Sequence, residues 1–119
     1  MSMATKVLVI IVALEHLYFL YLEMFAWTKP RTRKAFGLTE EAAETTKVMA
    51  CNQGLYNGFL SAGLFWSLFA PPDFGKQLVF FFAGCVAVAG IYGGATVNKR
   101  VIFIQAMPAL ITIVVALLT

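Results

Sequence analysis

Residues Val48 to Phe69 read VMACNQGLYNGFLSAGLFWSLF. The run is long enough to cross a bilayer, yet its first half carries Asn52, Gln53, Tyr56 and Asn57. On a helix these four fall within an arc of about 140°. Ala50, Gly54, Gly58, Ser61 and Ala62 fill the neighbouring third of the circumference. Only the narrow strip of Val48, Leu55, Phe59 and Trp66 suits lipid. A helix with amides on one flank and small residues on the other needs other helices around it. The stretch is therefore read as the central helix of a small membrane bundle with a polar site beside it.

The rest of the chain agrees in composition. Of 119 residues, 61% are apolar and 13% charged, whereas soluble domains average about one quarter charged. A soluble domain this short has too little interior for so much apolar surface. The charges cluster between four apolar runs, at about 5–27, 48–70, 76–97 and 101–119. The expected fold is all-α: a single four-transmembrane-helix domain over 1–119, with a cytoplasmic loop holding a short amphipathic helix. The formal charge of +3 fits basic loops that set membrane topology, and no aromatic-interleaved basic patch points to nucleic acid. Cys51 and Cys85 lie inside expected spans and read as reduced core thiols.

The first span holds Glu15, His16 and Glu23, within about 100° of one another on the helix. Glu15 and His16 interrupt the apolar run after Lys6, and no small-residue cleavage site follows, so the helix is expected to stay uncleaved. Trp27 suits the interfacial belt. In the loop from Thr28 to Lys47, four cations surround Pro30, and Thr39 with Glu40 and Glu41 is a helix start. That helix is expected to last about two turns and run into the second span. Pro71 and Pro72 should stop the second span, with Asp73 and Gly75 in a turn. In the third span Ala83, Ala87, Gly90 and Gly94 make a small-residue packing ridge. Cys85, Ala89, Tyr92 and Thr96 form a second, mildly polar face. The fourth span sets Gln105, Ala109, Thr112 and Ala116 on one face, and Pro108 is expected to kink it.

Seven Lys and Arg residues lie in the first and last loops, against Lys6 and Lys76 on the opposite side. Both termini should face outward, with the basic loops in the cytoplasm. This orientation gathers Glu23, Asn52, Gln53, Tyr56, Tyr92 and Gln105 in the cytoplasmic half, with Glu15, His16 and Asn57 near mid-depth. A carboxylate on a membrane helix is costly, so Glu15 is the sharpest candidate. Its expected partner is Asn57 or Tyr56. No ligand spacing for a metal, no phosphate loop and no nucleophile elbow is present.

Several of these segments together carry a resemblance. They are Glu15-His16; Glu23 to Thr28; Asn52 to Gly58, reading NQGLYNG; Gly90 to Gly93, reading GIYG; and Phe103 to Gln105 with Pro108. In order and over nearly the whole chain, they resemble a family of short four-span membrane proteins known as domain-of-unknown-function family thirteen-zero-four. The resemblance implies a compact integral membrane protein of prokaryotic type, placed in the bacterial inner membrane, and brings no activity with it. The four spans and first-span glutamate are also similar to small multidrug antiporters, though their helix-three glycine motif is not evident.

The functional expectation is binding or transport of a small, partly hydrophobic or amphipathic molecule by Glu15, His16, Glu23, Asn52, Gln53, Tyr56, Asn57, Tyr92 and Gln105. No cofactor or metal is expected; the partners are membrane lipid and, through the third-span ridge, a second copy of the chain. Two alternatives stand beside it. One is a membrane-embedded isomerase or transferase using Glu15, His16 or Glu23 as acid or base. The other is a structural bundle serving a larger complex.

Overall fold

The computed structural model describes residues 1–119 and contains helices and no strand. In chain order these are α1 (Met3–Phe25), α2 (Pro30–Phe36), α3 (Glu40–Phe69), α4 (Pro72–Thr96), a π-helical segment (Ile102–Ala106) and α5 (Met107–Leu118). The all-α expectation holds. Two helices, α1 and α4, are long and apolar enough to cross a membrane. Helix α3 is longer, at 30 residues, but its amides and the charges Glu40, Glu41, Glu44 and Lys47 make it less apolar than either. The last apolar run is shorter and divided between π and α geometry.

Local chemistry explains the boundaries, including those the sequence does not show. Helix α2 is not expected from the sequence; Pro30 opens it at the first helical position, where its missing N–H would have no partner anyway. Gly37 closes α2 in the left-handed conformation, φ 67°. Its N–H donates to the Lys34 carbonyl at 3.3 Å and the Leu38 N–H to the Arg33 carbonyl at 2.8 Å, the paired bonds of a Schellman cap. The expected helix start at Thr39 is found. Thr39 Oγ1 accepts the Ala42 N–H at 3.0 Å, and the helix continues without a break to Phe69.

One correction concerns Pro71 and Pro72. They start a helix as well as end one: α4 begins at Pro72, Asp73 sits in its first turn, and Gly75 is helical and buried rather than part of a turn. A Cβ at Gly75 would meet the Ser67 carbonyl oxygen at 2.5 Å, so this glycine is there for close approach. Another concerns Pro108. The disturbance falls before it, in the π turn, where the Met107 N–H reaches back to the Ile102 carbonyl. Pro108 has no N–H for the Ile104 carbonyl, and the wider turn accommodates that gap.

By its internal contacts the chain forms two compact units, Met1–Leu14 with Leu60–Thr119, and Glu15–Phe59. The first unit contains the main apolar cluster, with Val9, Val12, Leu64, Val79, Val86 and Ala109 buried in it. Ser61 Oγ donates to the Ala13 carbonyl at 2.8 Å. The ridge of Ala83, Ala87, Gly90 and Gly94 is buried here. A Cβ at Gly90 would lie 2.6 Å from the Ala106 backbone nitrogen, and one at Gly94 would collide with the Ile102 side chain. The ridge is therefore buried inside the chain, with Gly90 and Gly94 against the π segment, and is not an open face for a second copy. Of the four residues expected on one face of the last span, Ala109, Thr112 and Ala116 are buried on α5, and Gln105 is half-buried in the π segment.

In the second unit α1 and α3 run antiparallel. Glu23, Met24 and Trp27 meet Asn57, Cys51 and Thr46 in turn. Gly54 and Gly58 allow this approach, since a Cβ at either would lie 2.7 Å from Met24 Cγ or Leu20 Cδ1 respectively. The Trp27 indole donates to Thr46 Oγ1 at 3.0 Å and packs on Phe36, ring centroids 4.9 Å apart. That contact ties α2 to the pair.

Candidate functional site: carboxylates on α1 and an amide on α3

The chemistry-bearing residues of the second unit lie on facing stretches of α1 and α3. Asn57 is buried, and its Nδ2 donates to Glu23 Oε1 at 2.5 Å. This corrects the expected partnership of Asn57 with Glu15. The reason lies in side-chain direction. Side chains on a helix lean toward its N-terminus. In an antiparallel pair, Glu23 on α1 and Asn57 on α3 lean toward each other, whereas Glu15 leans away from Asn57. Counting depth from span boundaries misses this offset.

Glu15 meets a different group. Its Oε1 is buried, accepts no hydrogen bond, and lies 3.8 Å from His16 Nδ1. His16 is fully buried and sets its ring edge against Phe19, centroids 5.2 Å apart. His16 and Glu23 are two turns apart on one face of α1, and Glu15 is displaced from that face by about 100°. The two carboxylates thus have different surroundings, one an amide donor and the other an imidazole.

The remaining polar residues of α3 do not join Asn57 in the interior. Asn52, Gln53 and Tyr56 are exposed. Asn52 Nδ2 donates back to the Val48 carbonyl of its own helix at 3.2 Å, and the Tyr56 ring meets Phe59 at 6.0 Å. An arc of about 140° is wider than the contact strip between two helices. The small residues Ala50, Gly54 and Gly58 occupy that strip, which turns Asn52, Gln53 and Tyr56 outward. The lipid strip read from the sequence, Val48, Leu55, Phe59 and Trp66, is exposed throughout. Tyr92 and Gln105 belong to the other unit. Tyr92 is exposed on α4, and Gln105 is half-buried in the π segment.

Two contacts carry no signal in the sequence. Cys51 Sγ lies 3.6 Å from the Met24 carbonyl, and Trp27 pairs with Thr46. Trp27, assigned only to the interfacial belt, also joins the two helices. No three His, Cys, Asp or Glu side chains come together as a metal site.

The family profile described as "Protein of unknown function (DUF1304)" matches residues 10–117. The chain belongs to this family. It is also similar to the Uncharacterized protein YpaA of Lactococcus lactis subsp. lactis (strain IL1403), with 31% identity over 119 residues, covering 96% of this chain and 97% of the relative. No solved structure matches the chain. The match spans all the segments on which the sequence resemblance rested, from Glu15-His16 to Pro108.

Proposed function

We propose that the chain is a four-span protein of the bacterial inner membrane, a single domain with both termini outside, which binds or carries a small amphipathic molecule. One observation carries this reading: the apolar helix α1 bears two carboxylates, and neither is neutralised by a Lys or Arg. Glu23 has an amide donor, Asn57, and Glu15 has only His16 within ion-pair distance. Carboxylates held in a membrane helix mark ligand or proton sites. The preferred occupant carries a positive charge or several hydrogen-bond donors on an apolar body.

The surface of the molecule supports the membrane part of the reading. Most of the apolar length of α1 and of α4 is not buried. Leu14, Phe25, Phe81, Val88 and Ile91 are among the large apolar side chains that stand exposed on them. An enclosed core helix of a soluble protein would be covered; these faces suit lipid. The apolar parts of α3 and of the run from Ile102 to Leu118 supply the other two spans. Asn52, Gln53 and Tyr56, exposed beside the Glu23–Asn57 pair on α3, are the groups a ligand reaches first.

The test is equilibrium binding of a lipophilic amine to the purified protein in mild detergent. Glu23→Gln and Glu15→Gln preserve side-chain volume and remove the charge. Loss of a hydrogen bond to a charged group should weaken binding by about tenfold or more in at least one of them. Equal binding by both variants and the parent protein rejects the site. A second reading, a membrane-embedded isomerase or transferase, is favoured by the adjacency of the Glu15 carboxylate and the His16 imidazole, an acid and a base 3.8 Å apart.

A further inference from the structure

The turn after α1 and helix α2 carry Lys29, Arg31, Arg33 and Lys34. The helix sorts them. Thr32 is buried, Phe36 packs on Trp27, and Arg33 Nε donates to the Thr28 carbonyl at 3.1 Å. These three occupy one side of α2. Arg31 and Lys34, three residues apart, share the other side and are exposed, as is Lys29. None of the four cations is in an ion pair, the one carboxylate within 4.0 Å of a basic group being Glu15 beside His16. Glu40, Glu41 and Glu44 begin α3 without engaging them. The patch is thus held in place by its inner side and left uncompensated on its outer side.

The residues next to it indicate what it faces. Tyr18, Tyr21 and Phe25 form one exposed aromatic face at the end of α1. Tyr18 and Tyr21 stack at 6.5 Å, and Lys29 Nζ lies 6.0 Å from the centre of the Tyr21 ring. Aromatic rings followed directly by cations reproduce the order of a membrane interface, with rings at the acyl boundary and cations at the phosphates. We propose that Lys29, Arg31 and Lys34 form a binding surface for the phosphate headgroups of anionic phospholipids. This rests on the membrane reading above, but not on the Glu23 site.

The experiment uses the full chain reconstituted in phosphatidylcholine vesicles with a minor fraction of phosphatidylglycerol. Spin-labelled forms of each lipid report which is held at the protein surface. The immobilised fraction should be enriched in phosphatidylglycerol, and Arg31→Gln with Lys34→Gln should reduce that enrichment by about threefold or more. Lys99→Gln with Arg100→Gln should leave it unchanged. Circular dichroism checks that the helices persist, and each single substitution is read alone if the pair does not fold. Equal enrichment in the Arg31 and Lys34 variants overturns the proposal, as does no enrichment in the parent protein. Abolition of the preference by inorganic phosphate, at an ionic strength matched with chloride, also overturns it in favour of a free-anion site. Flotation with pure phosphatidylcholine vesicles separates the two readings: a chain that fails to float defeats the membrane assignment, whereas one that floats without lipid preference defeats only this proposal.

Discussion

Asn57 Nδ2 donates to Glu23 Oε1 at 2.5 Å, joining residues 34 positions apart on antiparallel helices. The bond is possible because Gly54 and Gly58, on the same helix as Asn57, let α3 approach Leu20 and Met24 closely. The amide and the glycines of NQGLYNG therefore act together: the small residues set the distance, and the amide satisfies the carboxylate held at that distance. Where lipid surrounds a helix pair, close packing and hydrogen bonds replace water exclusion as the stabilising terms.

This arrangement predicts which substitutions couple. Asn57→Ala leaves Glu23 without its donor and should destabilise by about 1–3 kcal/mol. A double-mutant cycle of Asn57→Ala with Glu23→Ala, read by denaturant titration in micelles, should show an interaction of about 0.5–2 kcal/mol. The same cycle with Glu15→Ala should be additive within about 0.5 kcal/mol. Coupling to Glu15 in place of Glu23 would contradict the observed pairing.

Two glycines of α4 should respond oppositely to alanine. Gly84 has open space where a Cβ would go, whereas at Gly90 the Cβ would press on the backbone of Ala106. Gly84→Ala should stabilise by up to about 1 kcal/mol through helix propensity. Gly90→Ala should destabilise by about 1–3 kcal/mol through overpacking, because a backbone neighbour cannot rotate away. Thermal unfolding of the two variants in detergent compares them directly. Equal responses would mean that the contact of α4 with the π segment is loose.

What could be read from the sequence followed from periodicity and capping. The helical class, the cap at Thr39, the exposed strip from Val48 to Trp66 and the buried face of Ala109, Thr112 and Ala116 all depend on local residue chemistry. The Pro71–Pro72 pair is ambiguous in the sequence because proline both ends and begins helices. Pro72 sits at a first helical position, as does Pro30, and only the following residues distinguish that from a break. That Asn57 pairs with Glu23 and not with Glu15 is hidden for a different reason. A helical wheel gives the angle around an axis but neither the side-chain lean along it nor the register of the neighbour. The ridge of Ala83, Ala87, Gly90 and Gly94 was recognised as a packing face, but a wheel cannot say whether the partner is the same chain or another.

Gly37 gives a prediction about α2 alone. Its φ of 67° lies in the left-handed region, and a Cβ there meets no other atom. Any cost of Gly37→Ala therefore comes from backbone conformation, about 1 kcal/mol, and Gly37→Asn should cost less. The readout is amide exchange in α2, which should quicken with alanine and change little with asparagine. Equal exchange in all three proteins would show that the Trp27–Phe36 contact, rather than the cap, holds the helix.

The proposed topology makes the final prediction. Lys29, Arg31, Arg33, Lys34 and Lys47 lie between α1 and the apolar part of α3, and Lys99 and Arg100 follow α4. With four crossings, these two connections share one side of the membrane. Lys6, near the start of α1, and Lys76, near the start of α4, share the other. Seven cations against two favours retention of the first side in the cytoplasm. Glu41 and Asp73 are both exposed and lie on opposite sides in this arrangement. In a background with Cys51 and Cys85 replaced by serine, Asp73→Cys should react with an impermeant maleimide in intact cells. Glu41→Cys should react only after the membrane is opened. Reaction of Glu41→Cys from outside would invert the orientation, and reaction of both would reject the four-span arrangement itself.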